Sequence, residues 1–309
     1  MAKHVKNSFA SSTPICDGQR VYVAFARGDA IYVVAVKLDG TIGWKAEAGP
    51  IVSEWGYASS PALFGNNIIV VGDSGGTRLK ATSFLAALDR NTGNIVWRVR
   101  RTEAPSYGVP LVAEIAGRSQ LVIAGTKSVI SYDPRTGETL WTFGISAQRI
   151  ANSLAYDETG VIAAHKEGGR ETLRIRADGF GDVTMTHATW RNKATSCDVP
   201  SPLVVNGRVY VADDSGVVSC LKLSDGKRLW KERVAKTGVS SSPTAIGNNI
   251  YLADEVGDVH IFEDADEYRP VSVVETGSPI FASPVVSGDC LLIRTVGHLW
   301  CIRASKKMN

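Results

Sequence analysis

A proline preceded by small residues recurs through this chain: Ser12-Thr13-Pro14, Ser59-Ser60-Pro61, Gly108-Val109-Pro110, Pro200-Ser201-Pro202, Ser241-Ser242-Pro243 and Ala282-Ser283-Pro284. One further member, Ala151-Asn152-Ser153, lacks the proline and is read with Ser153 in its position. The seven sites lie 41 to 49 residues apart. That period matches a four-stranded unit of a radial β-repeat. A chain so divided cannot build one large sheet or a helical core without breaking its own punctuation.

Within a unit the pattern holds. After Pro202 come a short apolar strand, a turn at Asn206-Gly207, a second strand from Arg208 to Ala212, a turn at Asp213 to Gly216, a third strand from Val217 to Leu223, and a turn before Trp230. Asn-Gly is a strong hairpin signal, and the runs between turns are short and rich in β-branched or aromatic residues. The last unit has sequence for only three strands, whereas the segment from Lys3 to Lys6 stands where a fourth strand would be. The expected fold is therefore all-β: one domain, residues 1–309, a seven-bladed β-propeller of four-stranded antiparallel blades. The N-terminal strand would close the last blade, leaving no open edge.

Composition narrows the function. Of 309 residues, 44% are apolar and 21% charged, and the net charge is +3. A core can be buried, but no basic stripe points to nucleic acid. No apolar run is long enough to span a membrane as a helix, and the opening residues MAKHVKNSFA carry no signal-peptide core. The five cysteines include no Cys-x-x-Cys, which argues against a zinc ribbon or a thioredoxin-type site. Cys290 and Cys301 are read as facing each other across a hairpin centred between Thr295 and Val296, as packed thiols or a cross-strand disulfide. Cys16, Cys197 and Cys220 are read as small core residues.

A second signature sits at the third turn of the units. Asp89, Thr92 and Gly93 precede Trp97, and Asp133, Thr136 and Gly137 precede Trp141 with the same spacing. Weaker copies are Asp39-Gly40 before Trp44 and Asp225-Gly226 before Trp230. The Gly would take positive φ, the Asp and Thr would bond turn N–H groups, and the Trp would dock on a neighbouring blade. This pattern resembles the tryptophan-docking motif of the PQQ-like propeller repeats. That superfamily includes the eight-bladed quinoprotein alcohol dehydrogenases and the lipoprotein of the outer-membrane β-barrel assembly machinery. The resemblance implies the fold, docking roles for Trp44, Trp97, Trp141 and Trp230, and a periplasmic or cell-surface location. It does not extend to the quinone site, whose platform is a pair of adjacent cysteines absent here. No PQQ-dependent dehydrogenase activity and no cofactor are expected.

By analogy with other propellers, the loops before each first strand and between second and third strands would share one face. They would gather Trp55, Tyr57, Tyr107, Arg149, His165, Arg294 and His298 into a funnel, either a ligand site or a wet channel of mixed charge. No metal site is expected: each lone His reads as structural, and the acidic run from Glu263 to Glu267 lacks calcium-loop spacing. The Gly-rich insertion at 73–80 reads as a recognition loop. The leading function is a non-catalytic, monomeric scaffold presenting the funnel to a protein or a glycan. The alternative is a polysaccharide lyase or hydrolase using Tyr107, Arg149, His165 and Arg294, with no catalytic residue assigned outright.

Overall fold

The computed structural model describes residues 11–53, 56–75, 83–102 and 106–303. All regular structure among them is β, arranged in seven sheets. The blades run Ile15–Cys16 to Ile42–Pro50, Ala62–Phe64 to Ile95–Arg100, Leu111–Ile115 to Thr139–Gly144, Ala155–Tyr156 to Ala188–Asn192, Leu203–Val205 to Arg228–Arg233, Thr244–Ile246 to Pro270–Glu275 and Val285–Ser287 to Leu299–Arg303. Strands follow sequence order within each blade. The seventh shows three strands; its expected fourth, Lys3 to Lys6, lies outside the described residues.

The chain divides into two compact units, residues 1–163 with 175–188, and 164–174 with 189–309. In the first unit, the second blade shows why middle strands read as continuous apolar runs. Ile68, Val70, Ala86 and Leu88 pack on Tyr22, Ile31 and Val33 of the first blade. Their alternates Ile69, Val71, Leu85 and Ala87 pack on Leu121, Ile123 and Tyr132 of the third. Period-2 alternation thus serves two neighbours, and each larger side chain buried contributes about 1.5–3 kcal/mol. In the second unit, Tyr210, Val218 and Cys220 meet Ile250, Leu252 and Phe262 in the same way.

The proline seam has a hydrogen-bonded basis. The residue before the proline donates its N–H to the hydroxyl of its counterpart one blade on: Thr13 to Ser60 Oγ (2.8 Å), Val109 to Ser153 Oγ (2.9 Å), Ser201 to Ser242 Oγ (2.9 Å) and Ser242 to Ser283 Oγ (2.8 Å). This corrects the reading of the fourth member. Ser153 does the work of Ser60, so it stands before the proline position, and Leu154 occupies that position itself.

The docking tryptophans also follow a rule, with one departure. The indole Nε1 donates to a turn carbonyl of the next blade for Trp44 (Arg90, 3.0 Å), Trp97 (Pro134, 3.3 Å), Trp190 (Leu223, 2.8 Å) and Trp230 (Ala265, 3.1 Å). Gly93 and Gly137, both at φ +77°, lie under Trp44 and Trp97, where a Cβ would come within 2.6 and 2.7 Å of the rings. Trp141 is placed differently. Its Nε1 donates to Gln120 Oε1 of its own blade at 2.8 Å, and it is fully buried. The cause is an insertion in the fourth blade: Gly181–Asp182 pairs in parallel with the third blade's last strand, Gly181 opposite Trp141. Trp190 was missed by the motif because that insertion breaks the Gly-x-x-x-Trp spacing. Its place 12 residues before Pro202, close to the 13 between Trp230 and Pro243, was the remaining signal.

Two cysteine expectations change. Cys290 pairs with Arg303 and Cys301 with Leu292, so the two are diagonal rather than opposite. The turn is centred one residue later than expected, between Val296 and Gly297, with Thr295 N–H donating to His298 O at 2.9 Å, which shifts the register by two. Cys16 is exposed, not core, whereas Cys197 and Cys220 are buried.

Candidate functional site

The expected funnel residues fall in both units. Trp55 lies outside the described residues, as does the 73–80 insertion from residue 76 onward. In the first unit, Tyr57 and Tyr107 line one small cleft with Ile51, Ser59, Val71, Asp73 and Ser106. One of these residues, Asp73, belongs to an ion pair that no motif announced. Arg101 Nε and Nη2 donate to the two carboxylate oxygens of Asp73 at 2.8 and 3.2 Å, and Arg101 Nη1 donates to Tyr132 Oη at 3.2 Å. Both charged side chains are wholly buried. A pair this enclosed is held by geometry; removing one partner would leave a buried charge unmatched.

In the same cleft, the Tyr57 hydroxyl and Ser106 Oγ are buried without a hydrogen-bond partner. Burial, with the Asp73 charge as a second cause, pushes the Tyr57 phenol far above its ordinary value, so it stays protonated at any physiological pH. The cavity is about 10 Å³, room for one water bridging such groups. Asp73, the acid nearest Tyr57, is committed to Arg101. Arg149 is half-buried and does not line this cleft.

In the second unit, His165 is buried with Nε2 3.5 Å from Glu171 Oε1, and Arg191 Nη1 reaches both oxygens of that carboxylate at 2.9 and 3.1 Å. Burial, opposed by Glu171, holds the imidazole below its ordinary pKa. Arg294 and His298 are exposed at the end of the last hairpin, where His298 N–H donates to Thr295 Oγ1 at 2.9 Å. The four residues of the lyase reading therefore divide between the units, Tyr107 and Arg149 in the first, His165 and Arg294 in the second.

Asp254, Asp258 and His260 bring ligand atoms within 4.8 Å of one another. Asp254 Oδ1 is occupied by the N–H groups of Val256, Gly257 and Asp258, and Oδ2 faces His260 Nε2 at 3.1 Å. Asp213 caps the equivalent turn one blade earlier, accepting from Ser215 and Val217 N–H, with no histidine beside it. Turn capping accounts for Asp254. The acidic run serves the neighbouring blade: Asp264 accepts from Tyr210 Oη at 2.6 Å and Asp266 from Arg208 Nε at 2.7 Å.

Comparison with known proteins places this arrangement. Residues 2–165 and 154–307 match the family described as outer membrane protein assembly factor BamB. The chain belongs to the BamB family. The BamB of Bordetella pertussis is 25% identical over 94% of this chain and 72% of its own length. That of Burkholderia pseudomallei is 26% identical over 90% and 70%. Among solved structures, BamB from Moraxella catarrhalis superposes with a TM-score of 0.71 at 18% identity, covering 97% of this chain and 84% of that one. The C-terminal WD40 domain of Sif2 gives 0.66 at 13% identity over 96% and 82%. Likenesses this distant in sequence show the fold: a seven-bladed β-propeller of PQQ-like repeats. BamB membership also agrees with the bacterial, periplasmic or cell-surface location expected from the repeats, and no helix among the described residues is long and apolar enough to cross a membrane.

Proposed function

We propose that this chain is a non-catalytic scaffold that binds another protein during assembly of outer-membrane proteins, without a cofactor. The observation that carries this is the family match along nearly the whole chain. The chemistry of the cleft supports it. Tyr57 is held protonated and Asp73 is bound up by Arg101, so neither is poised as a general base. Of the expected set, Arg149 is half-buried and Arg294 and His298 are exposed; these three are assigned to partner recognition, with Arg favoured at protein interfaces. Tyr57, Tyr107 and His165 shape the loops from below.

The test is genetic. Deleting the gene in its own bacterium is expected to lower outer-membrane β-barrel proteins, measured by quantitative mass spectrometry. The wild-type chain, Tyr107→Phe and His165→Gln should restore them equally. Wild-type rescue with loss in both variants would favour the lyase or hydrolase alternative. Unchanged outer-membrane proteins on deletion would reject the assembly role.

A further inference from the structure

The last hairpin carries a pair of thiols that the scaffold reading does not use. Cys290 begins the strand Cys290–Arg294 and Cys301 lies in Leu299–Arg303. Cys290 is opposite Arg303 and Leu292 opposite Cys301. Directly paired residues point to one face of an antiparallel sheet, and so do residues two apart. All four side chains therefore share a face, with the cysteines as diagonal neighbours. Cys290 beside it raises the Cys301 thiol above its ordinary value. Arg303 Nε also donates to Cys290 Sγ at 2.9 Å. Cys290 is buried and Cys301 exposed, and both are reduced. The other three cysteines have no such neighbour in sequence or strand pairing.

We propose that Cys290 and Cys301 form a reversible disulfide, a modification site that fastens the last hairpin of the propeller. The oxidant is a disulfide of a small molecule or of a thiol-oxidising protein. Cys301, the accessible sulfur, loses its proton to water and attacks one oxidant sulfur, whose partner leaves as a thiolate. Cys290 then loses its proton and attacks Cys301 Sγ. The Sγ–Sγ bond forms, the bond to the oxidant breaks, and the second oxidant thiolate departs. Two protein thiols are oxidised by two electrons and one external disulfide is reduced to two thiols. The finished bond is about 2.05 Å long, so the hairpin must draw the diagonal pair together as the bond closes.

The experiment uses the purified full chain, incubated with glutathione disulfide, alkylated with iodoacetamide and digested with trypsin. Trypsin cleaves after Arg294 and Arg303, which puts the two cysteines on separate peptides. A peptide ending at Arg294 joined to Thr295–Arg303 is expected, separating on reduction and absent from Cys301→Ser. The oxidised protein should also melt a few degrees higher than the reduced one, as closing a short loop by a disulfide does. Full alkylation of both cysteines after oxidant, or glutathione retained on Cys301 with no linked peptide, would overturn the proposal. Neither result bears on the assembly role, which the deletion test reads separately.

Discussion

The backbone N–H of Val109 lies 2.9 Å from Ser153 Oγ, donating across the boundary between the third and fourth blades. The same bond joins Thr13 to Ser60, where the proline motif is intact. The proline and the serine before it therefore do separate work. Proline sets the entry into the first strand, and the serine hydroxyl satisfies a backbone donor of the preceding blade. The fourth blade keeps the serine without the proline, so the hydrogen bond defines the repeat there.

Ser153→Ala should cost about 1–3 kcal/mol, because it strands a part-buried N–H without water to replace the hydroxyl. Urea denaturation with an unchanged slope would measure this. A loss below about 0.3 kcal/mol would remove the seam bond from the list of stabilising contacts.

Gly93→Ala tests the docking geometry. A Cβ there meets positive φ and the Trp44 ring together, whereas at Gly65 (φ +55°) it meets no atom within 4 Å. Gly65→Ala should cost about 1–2 kcal/mol from the backbone alone. Gly93→Ala should cost at least 1 kcal/mol more, in line with overpacking elsewhere. Equal losses at the two sites would separate the tryptophan from the turn.

Gln120 is the hub that replaces a docking turn around Trp141. Its Oε1 accepts from Trp141 Nε1 and from Ser131 Oγ at 2.8 and 2.7 Å, and its Nε2 donates to Ile115 O and Ala177 O at 2.8 and 2.9 Å. Gln120→Leu leaves the buried Trp141 and Ser131 donors unmatched and removes a bond from Ile115 O and from Ala177 O, the latter keeping Arg118 Nη2 at 2.9 Å, so a loss of about 2–3 kcal/mol is expected. Trp141→Ala should also cost about 3–5 kcal/mol. A near-neutral Gln120→Leu would show that water replaces the amide.

Acid should unfold the protein in two stages. Buried His165 has its folded pKa held below the ordinary value of 6.5, by burial. Its contribution to stability is complete above pH 6.5 and declines as pH falls from there toward the folded value. His165→Gln should flatten that part of the profile. Asp17, Asp89 and Asp254 are held below the usual 3.8 by hydrogen bonds from turn N–H groups and neighbouring side chains, which outweigh the cost of burial. The stability they supply is present above pH 4 and is lost as pH falls through their lower folded values. Thermal melts from pH 7 to pH 3 would show both stages. A profile for His165→Gln identical to wild type would remove His165 from the first.

How much of this was legible in the sequence depended on whether a contact repeats. Asp89, Thr92 and Gly93 could be read because the turn they build recurs, and Asp89 Oδ1 accepts from Asn91 N, Thr92 N and Thr92 Oγ1 at 2.9 to 3.0 Å. Asp73 and Arg101, 28 residues apart, occur together once and left no pattern. Trp141 kept its motif yet changed its partner, because the residues that displaced its turn lie in the next blade's insertion. The register of Cys290 and Cys301 depended on where the turn is centred, which residue spacing alone does not specify. For the candidate site, residue types indicated loops rich in aromatic and charged groups. Which of those groups are spent on the structure itself, as Asp73 is on Arg101, became visible only with the fold.

Binding of another protein at the propeller surface is the role we propose. It is tested most directly by site-specific photo-crosslinking in the bacterium that makes it, with a photoreactive amino acid in place of Arg149, Arg294 or His298 in turn. The account predicts that at least one position yields a crosslink to a protein of the outer-membrane assembly process, identified by mass spectrometry. Full expression with no crosslink to any such protein from all three positions would contradict it.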